Sequence, residues 1–149
     1  IPTNRSVMFG SLSGSKLGIW VAHGEGKFSL PYEEDKYNVV AKYSYDEYPG
    51  NPNGSDYSIA GLASEDGRHL AMMPHLERAV FPWQNAYYPA DRVNSDQVTP
   101  WIEAFVNARK WVEHEINFYI TFICQRLSPH KSDSLFVFVI TRKTTSFFF

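Results

Sequence analysis

Glycine and tryptophan divide this chain. All nine glycines and all four tryptophans among its 149 residues stand before residue 114. Glycine supplies the positive-φ turns that let strands reverse, and tryptophan carries the largest apolar surface a core can bury. The capacity to turn and to pack therefore sits in residues 1–113. The remaining 36 residues hold seven of the eleven phenylalanines and the only cysteine, Cys124. They contain β-type runs at 118–124 and 135–141, no glycine turn, and a Phe147-Phe148-Phe149 end. So apolar an end is an aggregation hazard. Three readings of residues 114–149 follow: a strand pair docked on a sheet, a partner-binding tail, or sequence foreign to the domain, as an error in a gene model would leave it.

Length allows one ordinary domain. Hydrophobic residues are 44% and charged residues 20% of the chain, a globular balance. The net charge of −2 offers no basic excess for nucleic acid or an anionic membrane surface. One cysteine excludes a disulfide framework and a cysteine-based zinc site. No apolar run approaches the roughly 18 residues of a membrane span. No signal peptide is visible, and a cytoplasmic location is expected. The first residue is Ile, which leads us to expect a piece of a longer chain.

Residues 17–22 read as a buried strand closed by His23-Gly24-Glu25-Gly26. Residues 38–45 alternate Val39, Ala41, Tyr43 and Tyr45 at the period of a strand. Residues 48–56 carry two prolines, two asparagines and two glycines and read as a loop. Residues 59–63 and 68–73 form an expected hairpin about Asp66-Gly67, as a two-residue positive-φ turn. Thr99-Pro100 opens a helix: Thr caps the first turn, and Pro sits where its missing N–H costs nothing. Trp101, Phe105, Ala108 and Val112 then recur at helical spacing, with Glu103, Arg109 and Lys110 on the wet face. Strands followed by a late helix suggest an α/β class, as a small domain or half of a larger one.

Met72-Met73-Pro74-His75-Leu76-Glu77-Arg78 is the sharpest local pattern. At a strand end, His75 and Glu77 can lie on one side, where the carboxylate holds one ring nitrogen and leaves the other as a base. A surface turn is the plain alternative. In His23-Gly24-Glu25-Gly26 the glycines allow either an ordinary tight turn or close approach of a ligand. Asn51-Pro52-Asn53-Gly54-Ser55 reads as a turn, with a binding loop as the second reading. His23, Glu25, His75 and Glu77 together have the ligand types of a metal-dependent hydrolase, but their spacing fits no zinc signature. No phosphate-cradling glycine loop is present. Cys124 lies in an apolar run unsuited to an activated thiol.

Four stretches in order then carry a resemblance. They are Leu17-Gly18-Ile19-Trp20-Val21-Ala22-His23-Gly24-Glu25-Gly26-Lys27-Phe28, Tyr48-Pro49-Gly50-Asn51-Pro52-Asn53-Gly54-Ser55, the Met72 to Arg78 motif, and Trp101 to Trp111 with Asn107-Ala108-Arg109-Lys110. Over about residues 4–113 the chain resembles the carboxy-terminal end of the phosphoribosylformylglycinamidine synthase family, enzymes of purine biosynthesis.

The resemblance implies the C-terminal half of a flavodoxin-like class I glutamine amidotransferase domain, with a mixed sheet and a terminal helix. The domain would span 1–113, with 114–149 a tail outside the family. It implies hydrolysis of glutamine by a cysteine thiolate, with His75 as base and acid and Glu77 as its orienter. His23, Gly24 and Glu25 would lie against the backbone end of bound glutamine. Ammonia would pass to a synthetase domain that uses ATP and magnesium on formylglycinamide ribonucleotide. Neither cofactor is expected on this chain, nor is a nucleic acid or membrane partner. Leu76 departs from the proline usual in the family at that place, and the family's nucleophilic cysteine lies upstream of what this chain spans. The fragment alone is therefore expected to be inactive. The alternative is a non-catalytic interaction module that dimerises through residues 135–140.

Overall fold

A computed structural model describes residues 1–114 and the backbone of Phe136–Val139. Four strands form one sheet in the order β1 (Asn38–Lys42), β2 (Ile59–Ala63), β3 (His69–Met72) and β4 (Phe136–Val139). One helix, α1, runs over Ile102–His114.

The β2–β3 hairpin forms, pairing Gly61 with Met72 and Ala63 with Leu70. Its turn is longer than the expected two residues. Gly67 N–H donates to Ser64 C=O at 2.9 Å, and Ser64 N–H to His69 C=O at 3.0 Å. Of the two turn residues, only Gly67 is left-handed, at φ +72°. Asp66 acts through its side chain, accepting from the Ser64 hydroxyl, the Arg68 N–H and the Arg68 guanidinium. Those donors hold its carboxyl well below the usual carboxylate range.

The expected mixed sheet is corrected: among the described residues every strand pairing is antiparallel. A parallel neighbour needs a crossover of about a dozen residues or more, usually helical. Here β2 and β3 are joined by a tight turn, and the connection from β1 to β2 holds one 3-10 turn at Asp56–Ser58 and no α-helix. The buried strand expected at 17–22 is also corrected. Leu17 and Ile19 pack on the core, while Trp20 and Ala22 are exposed. The alternation is that of an extended chain, but among the described residues no backbone ladder joins it to a neighbour. In β1 two register shifts break the alternation, so Val40 and Ala41 are both buried.

The helix begins as its cap predicts. Trp101 N–H donates to the Thr99 hydroxyl oxygen at 3.3 Å, and the Thr99 hydroxyl donates to Ala79 C=O. Trp101, Ala104 and Ala108 are buried against Met8, Phe9 and Leu12. Phe9 meets Trp101 with ring centroids 5.9 Å apart and planes tilted by 47°. The Trp101 indole N–H reaches back to Gly18 C=O at 2.8 Å, which pins the extended segment to the helix.

Of the two β-type runs after residue 114, Phe136–Val139 pairs antiparallel with β3, opposite Met72 to His69. This pairing covers the edge of β3 and makes β4 the last strand of the sheet. The run at 118–124, Cys124 and Phe147 to Phe149 lie outside the described residues.

Candidate active site

β3 ends at Met72, and Pro74 cannot donate to a ladder, so the chain leaves the sheet there. His75 follows in an extended conformation and caps a 3-10 turn, Leu76–Arg78. A turn this tight puts the side chains of His75 and Glu77 together. His75 Nδ1 lies 2.8 Å from Glu77 Oε1. A carboxylate accepts and does not donate, so the pairing places the ring proton on Nδ1 and leaves the lone pair on Nε2. His75 is 1% exposed, whereas the Glu77 side chain is 44% exposed. The ring is thus fixed by packing, and the carboxylate by its bond to the ring. Leu76, between them, is fully buried. It occupies the first position of the turn, whose N–H needs no partner within the turn. A proline there would fix φ; Leu76 fixes the turn by sinking its side chain into the core, and the pair still closes.

The glycine loop is built from a second direction. His23 is buried, and the Asn53 side-chain amide meets its Nδ1 at 2.9 Å. The same amide nitrogen donates to Gly24 C=O at 3.0 Å and Gly26 C=O at 2.9 Å. The amide's two N–H groups are thus shared among the His23 ring nitrogen and two carbonyls, and the other ring nitrogen, Nε2, lies 3.4 Å from the Tyr43 hydroxyl. Asn51 holds the other loop in shape by exchanging two 2.9 Å bonds with the Ser55 backbone. Phe28 N–H donates to the Ser55 hydroxyl at 3.1 Å and Leu30 N–H to the Asp56 carboxylate at 2.8 Å. The loop read first as a turn is therefore the clamp of the glycine loop.

The two motifs meet at Met73. A Cβ on Gly26 would collide with the Met73 methyl, so the missing side chain lets the loop lie on the residue that precedes Pro74-His75. Gly24 and Glu25 are on the exposed side of the loop. Among the described residues, no three His, Cys, Asp or Glu side chains gather to hold a metal ion.

Residues 1–112 match the CobB/CobQ-like glutamine amidotransferase domain. The chain belongs to this family. Within it, the chain is similar to phosphoribosylformylglycinamidine synthases. It is 45% identical to that of Drosophila melanogaster over 125 residues, which covers 74% of this chain and 9% of that protein. To the human enzyme it is 39% identical over 118 residues, 71% of this chain and 9% of that protein. To a probable chloroplastic or mitochondrial synthase of Arabidopsis thaliana it is 40% identical over 131 residues, 76% of this chain and 9% of that protein. The chain thus spans about a tenth of the length of the curated relatives it matches.

In this amidotransferase domain the sequence singled out His75 and Glu77, and the structure brings their side chains together. It also singled out His23, Gly24 and Glu25, but not the residues that contact them. Asn53 and Tyr43 lie 30 and 20 positions from His23. A side-chain bond at that separation leaves no periodic trace; the one signal was the density of Asn and Gly at 51–54. Among the described residues, no helix of the amidotransferase domain is long and apolar enough to cross a membrane.

Burial pushes the Tyr43 hydroxyl up to about 12. An unfolded tyrosine ionises near pH ~10. Its contribution to stability is full below pH ~10 and is lost as pH rises through about 12. Urea unfolding midpoints should therefore fall between those values, and less steeply in Tyr43→Phe. Parallel slopes for the two proteins would refute this.

Proposed function

We propose that residues 1–113 are the C-terminal part of a flavodoxin-like, triad-type glutamine amidotransferase domain of a phosphoribosylformylglycinamidine synthase, with 114–149 a tail outside the family's domain that adds one strand, Phe136–Val139, to its sheet. The observation that carries this reading is the 2.8 Å His75–Glu77 pair at a strand end, in a chain whose first 112 residues match the family. In this reading His75 Nε2 takes the proton of a cysteine thiol, from the part of the enzyme that this chain does not span, and the thiolate attacks the side-chain carbonyl carbon of glutamine. The C–N bond breaks, and His75 gives the departing ammonia its proton. Water, deprotonated by His75, then cleaves the thioester to glutamate and regenerates the thiol. Glu77 keeps the ring in the tautomer whose lone pair is on Nε2, the nitrogen that does this work. The exposed side of the His23-Gly24-Glu25 loop receives the backbone end of glutamine.

The ammonia serves a ligase reaction of purine biosynthesis, in which formylglycinamide ribonucleotide becomes the amidine as ATP becomes ADP and phosphate. ATP and magnesium belong to the synthetase portion.

Glutamate release from glutamine tests the reading. The 149-residue chain alone should give none above background, because a triad acts as a unit. The same chain joined to the preceding portion of the enzyme, with its cysteine, should be active. Cysteine-dependent release by the isolated chain, or no activity once the cysteine is supplied, would overturn the assignment.

A further inference from the structure

Gln84 closes a short turn, Pro82–Gln84, and bonds in three directions. Its side-chain oxygen accepts from Phe81 N–H at 2.9 Å. Its side-chain Nε2 donates to Glu77 C=O at 3.2 Å. Its own C=O accepts the indole N–H of Trp20 at 2.7 Å. The first two partners fix the amide's orientation, since Phe81 N–H can only donate and Glu77 C=O can only accept.

Glu77 needs such support. It sits in a three-residue turn, its side chain is half in water, and the nearest competing charge, Arg78 Nε, stands 3.9 Å from the same oxygen that meets His75. With its backbone able to rock, the carboxylate would share itself between the ring and the guanidinium. Gln84 ties that backbone to the turn at 81–84. Trp20 ties the turn in its place to the extended segment that runs into His23. We propose that Gln84 is a positioning residue for the His75–Glu77 pair, and that Trp20 couples the pair to the glycine loop through it. The catalytic meaning of this coupling rests on the amidotransferase reading; the coupling itself does not.

The proton on His75 Nδ1 is the probe, read in the full 149-residue chain by NMR as its rate of exchange with water. In Gln84→Met, which keeps the length and loses both side-chain bonds, exchange should quicken roughly tenfold, the scale of one lost hydrogen bond. Trp20→Phe removes only the indole donor of a half-exposed ring. It should quicken exchange in the same direction with the sheet amides unchanged, so the test survives if the Met variant folds poorly. Gln84→Glu keeps the acceptor for Phe81 N–H but not the donor to Glu77 C=O, and should resemble the Met variant. Gln97→Met, on the surface, should match the parent. Exchange within about twofold of the parent in both Trp20→Phe and a folded Gln84→Met would overturn the proposal, as would a parent-like Gln84→Glu. None of these readings needs the nucleophile. A failed glutaminase assay would count against the amidotransferase reading, and an unmoved proton against the coupling.

Discussion

On the amidotransferase reading proposed above, His75→Gln in the full-length ligase should lower glutamine-dependent turnover by about 10⁶-fold, the scale seen when a triad loses its base. Turnover on added ammonia should stay within about twofold, because free ammonia bypasses the thiol chemistry altogether. The physical reason is the division of labour on one ring. Nδ1 is committed to Glu77 at 2.8 Å, so only Nε2 can take and return a proton. Glutamine at position 75 has the bulk and the hydrogen bonds but no basic nitrogen. Glu77→Gln should act in the same direction and less severely, since the carboxylate is partly exposed and water can replace some of its hold on Nδ1. Steady-state rates with glutamine and with ammonium chloride check both variants. A loss of ammonia-fed turnover equal to the loss with glutamine would mean that the change damages the fold and not the base.

Gly67→Ala should destabilise the protein by about 3 kcal/mol or more, beyond the ordinary range for a surface turn. Two causes add. At φ +72° a side chain costs about 1–2 kcal/mol. The new Cβ would also strike the Arg5 carbonyl oxygen and press on Ser6 Cα at 3.2 Å, and both are backbone. The same contact carries a bond, Val7 N–H to Gly67 C=O at 2.9 Å, so the segment cannot withdraw without losing it. Gly54 is the internal comparison: its φ is +69°, and a Cβ there would meet no atom within 4 Å. Gly54→Ala should cost only the backbone term, about 1 kcal/mol. Urea denaturation of the two variants separates close approach from backbone conformation. Equal midpoints would deny the contact with Arg5 any role.

The parts of this fold that were legible in the sequence are those whose cause is local. Thr99-Pro100 states a helix start in two residues, and Asp66-Gly67 states a reversal between two apolar runs. His75 and Glu77 lie close enough in sequence for a single turn to bring them together. Residues 17–22 show where local evidence stops. Their alternation was real, but side-chain periodicity says which faces are apolar and nothing about which backbone stands alongside. Met8, Phe9 and Leu12 supply much of the core from a 3-10 turn at Gly10–Leu12 and its approach, too short to show a period. The clamp by Asn53 and the triple role of Gln84 depend on partners far along the chain. Their residue types are common in loops, so nothing in the local pattern distinguished them from solvent-facing polar groups.

Asn107, in the middle of α1, donates to Met8 C=O from 99 positions away, and Trp101 donates to Gly18 C=O from 83. The first and last pieces of the described core are thus each other's solvent shield. A ribosome making this chain has produced β1, β2 and β3 long before it produces the helix that covers Phe9. Until α1 emerges, the apolar side of Met8 and Phe9 has no lid. Contacts of such long sequence separation slow folding. The interval before they form is the time during which a nascent chain most needs a chaperone.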